Sequence, residues 1–206
     1  FGSVVVCAAR TELFRDALTR SEVAGGAISQ ADAEAFAEET IGYLTGERDA
    51  WSPRATVDGA ALRVPETFVT HMATVRGWML FAKTALPLAA ATGFLLLVAC
   101  AFALGRRRGS GLSLGGYYAG AALPALIALG LGLWAAMDFN AFWAWLHRTF
   151  IPDGIFPAGE PIMRLFPETL FAGYAGPAGL LFATFWAVAL LLPPGLRRLK
   201  SFLAER

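Results

Sequence analysis

Charge is scarce in this chain. Only 16% of its 206 residues are Asp, Glu, Lys or Arg, while 56% are hydrophobic and the mean hydropathy is +0.54. An ordinary soluble domain carries about 25% charged residues, so the composition points to a membrane. Cysteine is scarce too: Cys7 and Cys100 sit far apart in apolar runs with no CxxC spacing. That spacing supports neither a zinc site nor a disulfide framework and leaves two buried, inert thiols as the expectation. No Gly-x-Ser-x-Gly elbow is present, and Ser52 and Ser110 lack any such context, which excludes an ordinary serine hydrolase. Histidine is the other rarity, with only His71 and His147 in the whole chain. Internal repeats and low-complexity segments are absent.

Long apolar runs are what the chain does have. Residues 78–104, 112–137 and 177–194 are each close to or beyond the roughly 20 residues that a bilayer-crossing helix needs. Pro87 and Pro124 fall inside two of them and are compatible with membrane helices, where neighbours re-satisfy the freed carbonyls. The Gly/Ala-rich face of the second run suits close helix approach. Residues 1–10, "FGSVVVCAAR", are apolar but too short to span, and they lack the charged start of a signal peptide. They are expected to be the outer end of a first transmembrane helix that is truncated here. The expected fold is therefore an all-α integral membrane bundle of four transmembrane helices.

The net charge of +1 hides an uneven distribution. Acids outnumber bases between Arg10 and Trp78, whereas "GRRRGS" and the tail 195–206 are basic. The positive-inside rule places Arg106–Arg108 and Arg197, Arg198 and Lys200 in the cytoplasm. Residues 11–77 and 138–176 are then extracytoplasmic, and both histidines fall at that outer face, each just beyond a span.

The first outer region has the marks of a folded cap. Ser29 and Asp32 form a variant capping box ahead of Ala33, Phe36, Ala37, Thr40, Ile41 and Leu44 at helical spacing. Asp58-Gly59 lies between β-prone residues, a hairpin signal. A small helix-plus-hairpin cap is the expectation. In the second region Phe139, Phe142, Trp143, Leu146 and Phe150 recur at helical spacing. This predicts an aromatic amphipathic helix of the kind that lies in a headgroup layer, ended by Pro152, Asp153 and Gly154.

The two histidine segments carry a resemblance. His71, Met72 and Val75 match an H-M-x-x-V element, and Asp138, Phe139, Phe142, His147 and Phe150 match D-F-x-x-F-x-x-x-H-x-x-F. Leu165, Phe166, Pro167, Glu168 and Phe171 match L-F-P-E-x-x-F, and residues 41–46, "IGYLTG", fit an outer helix. The set is similar to the Lit-like lipoprotein intramolecular transacylase family of bacterial four-span membrane proteins. Thr74 departs from it, standing where the first element has an acidic residue.

The resemblance implies an acyltransferase with no cofactor and no metal, in the bacterial cell membrane with its active site facing outward. Its partners would be diacylglyceryl-modified lipoproteins and membrane phospholipid, with no nucleic acid. The sn-2 acyl chain would move to the α-amino group of the lipoprotein's N-terminal cysteine. Such aminolysis needs a proton acceptor, a proton donor and oxyanion stabilisation. His71 and His147 are the expected catalytic pair, with either as base. Asp138 is open between orienting a histidine and capping the 139–150 helix. Glu66 and Glu168 are candidate supporting carboxylates. Arg76 and Arg148 are candidates for substrate phosphate or carbonyl oxygens, or for anchoring the interface. The rival expectations are a two-histidine metal or haem protein and a non-catalytic membrane scaffold.

Overall fold

The computed structural model describes residues 6–106, 114–151, 154, 156–157 and 159–204, and most of them are helical. The elements are α1 (Thr11–Arg20), α2 (Gln30–Thr45), β1 (Thr56–Val57), β2 (Ala60–Ala61), α3 (Glu66–Arg106), α4 (Leu114–Met137) and α5 (Phe139–Phe150). A 3-10 turn (Pro161–Arg164), α6 (Glu168–Ala172) and α7 (Ala175–Ala204) follow. The chain divides into one unit of Phe1–Leu86 with Trp134–Ala178, and another of Pro87–Leu133 with Gly179–Arg206.

The first unit is held by an aromatic core. Its cap has two helices where one was expected: α1 buries Phe14, Ala17 and Leu18, which lie on one face at i, i+3 and i+4 spacing. Arg10 gives α1 no side-chain cap, so this buried stripe and not a start signal holds the helix. At α2, Ser29 Oγ accepts from the Asp32 N–H at 3.0 Å as foreseen. The other half of the capping box is not made. The Asp32 carboxylate instead accepts the Thr56 N–H at 3.2 Å, tying the helix start to the hairpin. Helix α2 ends at Gly46, whose φ of 85° admits the two reversed bonds Glu47 N–H to Gly42 O and Gly46 N–H to Tyr43 O.

The hairpin follows its turn chemistry. Thr56 pairs with Ala61 and Val57 with Ala60, and the turn residues Asp58 and Gly59 have φ of 51° and 83°. Both angles are positive, as a type I′ turn requires. The Asp58 carboxylate also takes an ion pair from Arg164, fastening the hairpin to the 3-10 turn. Beneath these elements Phe36 is wholly buried, with ring centroids 5.5 Å from Phe166, 6.2 Å from Phe14 and 6.4 Å from Trp51. The Trp51 indole N–H donates to buried Thr40 Oγ1 at 3.2 Å, so these two core polar groups satisfy each other.

Helix α3 starts twelve residues before the apolar run 78–104, which places His71 in the same helix as that run. Lys83, within that run, donates to the Thr45 carbonyl at 3.0 Å, and Ala82 is buried. The cap's bonding thus reaches into the start of the run.

Two helical runs among the described residues are long and apolar enough to cross a membrane, Tyr118–Met137 and Pro161–Val188. The second includes the 3-10 turn and α6, so its uninterrupted part begins with α7 at Ala175. The run 78–104 is helical throughout, but its side chains from residue 96 onward lie outside the described set. Arg107 and Arg108, residues 1–5 and the chain at 112–113 lie outside the described residues as well. In the second unit Leu95, Leu123, Leu126, Leu180 and Leu191 are all exposed. Exposed leucines on three helices suit a hydrocarbon surrounding and not water. Pro87 and Pro124 sit inside uninterrupted helices, as expected of such segments.

Replacing the buried Phe36 with Ala removes the ring around which the cap core is arranged. Unfolding of the detergent-solubilised protein should show a loss of about 3–5 kcal/mol. A loss below about 1 kcal/mol would mean that this core does not carry the unit.

Candidate functional site

One face of α3 brings Phe68, His71 and Met72 inward at i, i+3 and i+4, and all three are buried. One row of α5 brings Phe139, Trp143 and His147 together at i, i+4 and i+8. Phe139 stacks on Trp143 at 5.7 Å and Trp143 lies 4.3 Å from His147, centroid to centroid. The two rows meet at the histidines, whose rings are 5.9 Å apart and inclined by 28°. Each histidine is only 8% exposed.

The surrounding rings close on themselves. His71 packs on Phe68 at 5.7 Å, and Phe68 on Phe166 at 5.4 Å. Phe166 lies 6.2 Å from Phe171, and Phe171 stacks on Trp143 at 4.3 Å, which returns to His147. Phe156 adds an edge contact to His71 at 5.3 Å. All of these residues belong to the first unit. The three sequence elements around His71, His147 and Phe166 therefore meet in one aromatic enclosure.

His147 has a defined hydrogen-bond state. Its Nδ1 is 3.0 Å from the Trp143 carbonyl oxygen, which can only accept. Nδ1 therefore carries the hydrogen, and in the neutral ring Nε2 holds the basic lone pair. Burial pushes the His147 pKa below the usual 6.5, against a smaller upward pull from the Trp143 hydrogen bond. The result is an imidazole that stays neutral and proton-accepting around neutral pH.

The candidate supporting residues are placed elsewhere. Asp138 caps α5, its carboxylate accepting the Ala141 N–H at 2.9 Å. The backbone of Trp143, and not that carboxylate, orients His147. Glu66 opens α3 and Glu168 opens α6; both are exposed, and neither carboxylate makes a hydrogen bond or ion pair among the described residues. Thr74 is exposed and bonds the Thr70 carbonyl of its own helix at 3.3 Å. Arg76 is engaged within the cap: it donates to the Arg48 carbonyl at 3.0 Å, lies 3.6 Å from Asp49 and sits 4.8 Å over the Tyr43 ring. Arg148 is exposed on α5.

Six residues of the enclosure were not anticipated as site residues: Phe68, Trp143, Gly154, Phe156, Phe166 and Phe171. For Phe68 the i, i+3 spacing to His71 was a usable signal. Phe156 and Gly154 come after Pro152 and Asp153 in the sequence and carry no periodicity. Pro152 and Asp153, expected to end α5, lie outside the described residues; Ile151 ends it, donating its N–H to the His147 carbonyl at 2.8 Å. Two surface clefts, one beside Arg164 and one beside Arg48, are lined by neither histidine. Among the described residues no group of three or more His, Cys, Asp or Glu is placed to hold a metal ion.

Comparison with protein-family models, with curated proteins and with solved structures finds no match to this chain.

Because the His147 pKa is lowered on folding, the unfolded chain binds this proton more tightly than the folded one. Above pH about 6.5 the group contributes nothing to the pH dependence. As pH falls below that value, protonation favours the unfolded state, and stability declines until the folded pKa is passed. Melting temperature against pH should show this acid-side slope, and His147→Asn should flatten it. Nitrogen-15 spectra of histidine-labelled protein should show His147 neutral at pH 7 with the proton on Nδ1; a proton on Nε2 would contradict the Trp143 bond.

Proposed function

We propose that this chain is an intramolecular acyltransferase of the bacterial cell membrane, a member of the Lit-like lipoprotein transacylase family that its histidine elements resemble. The substrate is a lipoprotein whose N-terminal cysteine carries an S-linked diacylglyceryl group. The sn-2 acyl chain passes to the cysteine α-amino group, leaving an N-acylated lyso-form. The observation that carries this reading is the apposition of the chain's two histidines, 5.9 Å apart inside one buried aromatic enclosure.

The chemistry follows from what those residues can do. The neutral α-amine attacks the sn-2 ester carbonyl, the new C–N bond forms, and the C–O bond to glycerol breaks. The amine must lose a proton and the glycerol oxygen must gain one. His147 accepts the amine proton at Nε2, since Nδ1–H is already committed to the Trp143 carbonyl. His71 stands beside it as the donor to the leaving oxygen. No protein nucleophile is needed, because substrate amine and ester belong to one molecule and folding them together supplies much of the rate. Arg148, exposed on the same helix as His147, is the candidate contact for a lipid phosphate.

The membrane arrangement is part of the proposal. Four spans, with the basic segments 106–108 and 197–200 in the cytoplasm, leave residues 11–77 and 138–176 outside. The enclosure is then on the outer side, at the depth where a membrane-anchored ester sits. Two apolar helices of spanning length support the membrane location.

Expression in a bacterium that lacks lipoprotein N-acyltransferase gives a direct test. Mass spectrometry of a reporter lipoprotein's N-terminal peptide should show the N-acylated lyso-form. His71→Ala and His147→Ala should each lower conversion by about 10²-fold or more at equal expression. Unchanged diacyl reporter in the presence of well-expressed wild-type protein would refute the reading.

A further inference from the structure

We propose that Gly154 is the positioning residue of the histidine pair: its missing side chain is what lets His71 and His147 approach each other. A Cβ built at 154 would stand 2.6 Å from His71 Cε1, 2.9 Å from His71 Nδ1 and 2.8 Å from His147 Cδ2. Non-bonded carbon atoms prefer about 3.5–4.0 Å, so a methyl group here collides with both rings at once. Glycine is not needed for its backbone freedom, because the positive-φ glycines of the described residues are Gly25, Gly46 and Gly59. What the position requires is empty space.

Neither side of the contact can yield cheaply. His147 is held by its bond to the Trp143 carbonyl at 3.0 Å and by the Trp143 ring. His71 packs against both Phe68 and Phe156, at 5.7 and 5.3 Å. The backbone at 154 is held by its N–H bond to the Ile151 carbonyl at 2.9 Å, and two residues later Phe156 packs on Phe68 at 4.7 Å. Close packing of this kind transmits a one-methyl change to its neighbours and does not absorb it. A side chain at 154 therefore parts the imidazoles. Gly159, five residues on, provides the contrast, since a Cβ there meets nothing within 4 Å.

The consequence for turnover rests on the proposed acyl transfer; the geometric inference does not. Gly154→Ala and Gly159→Ala remove the same backbone freedom, but only the first puts a methyl against both rings. Since the chain has two histidines, histidine-selective nitrogen-15 spectra report on this pair alone. Gly154→Ala should shift both imidazole signals and lower reporter conversion by about tenfold or more, while Gly159→Ala leaves both as in wild type.

A stability cycle adds an arm that needs no activity. Gly154→Ala should lower the melting temperature in the wild-type background and lower it less in a His71→Ala background, where two of the three close atoms are gone. If Gly154→Ala does not fold, recovery of folding in the double variant supports the inference, and equal loss in both backgrounds overturns it. Unshifted imidazole signals in a folded Gly154→Ala protein also overturn it. Wild-type protein without conversion would sink the transfer reading while leaving the spectra and the cycle to judge Gly154.

Discussion

Six rings from three distant parts of the chain touch in a closed circuit, and two of them are the imidazoles. Phe68, His71, His147, Trp143, Phe171 and Phe166 follow one another at centroid distances between 4.3 and 6.2 Å. Aromatic pairs contribute roughly 0.5–1.5 kcal/mol each beyond their burial. The geometric effect matters more, because a closed circuit lets no member move without disturbing two others. Phe166 is also a neighbour of Phe36 and Trp51, so the circuit is fused to the cap core. The histidine spacing is in this way a property of the whole first unit.

That coupling explains how much of the molecule was legible in its sequence. Ser29, Asp58-Gly59 and the aromatic row of α5 were legible because each rests on local chemistry: a cap, a turn, a period of 3.6. Helix α1 was legible in principle, through Phe14, Ala17 and Leu18, but its Arg10 start has no capping side chain to announce it. Asp32 shows the limit of a local signal. Its motif was present, yet its carboxylate serves Thr56, a partner twenty-four residues away. The site followed the same divide. Both histidines could be placed at one end of their helices, but what touches them could not. Gly154 is the extreme case, since a glycine after a proline and an aspartate resembles any turn until the rings beside it are known.

The electrostatics of the pair follow from the enclosure as well. Among the described residues no carboxylate orients His147; a backbone carbonyl does, and Asp138 is occupied by capping the helix that carries the histidine. A carbonyl fixes the tautomer as well as a carboxylate would, but it stabilises the imidazolium far less. Combined with burial, this keeps the His147 ring neutral. The arrangement suits proton relay and disfavours stored charge.

The same burial bears on which nucleophile the proposed reaction would admit. An acyl ester activated in water is hydrolysed unless water is kept away from the carbonyl, and excluding it is one recognised function of a closed site. Imidazoles that are 8% exposed and bordered by Phe68, Phe156 and Trp143 offer bulk water little access to either ring. An amine tethered to its own ester needs no such access, because it arrives with the substrate. An apolar wall around the two imidazoles would, in the proposed reaction, favour transfer within a lipid-anchored molecule over release of the fatty acid. The aromatic residues would then set the outcome of the reaction, while the histidines move its protons.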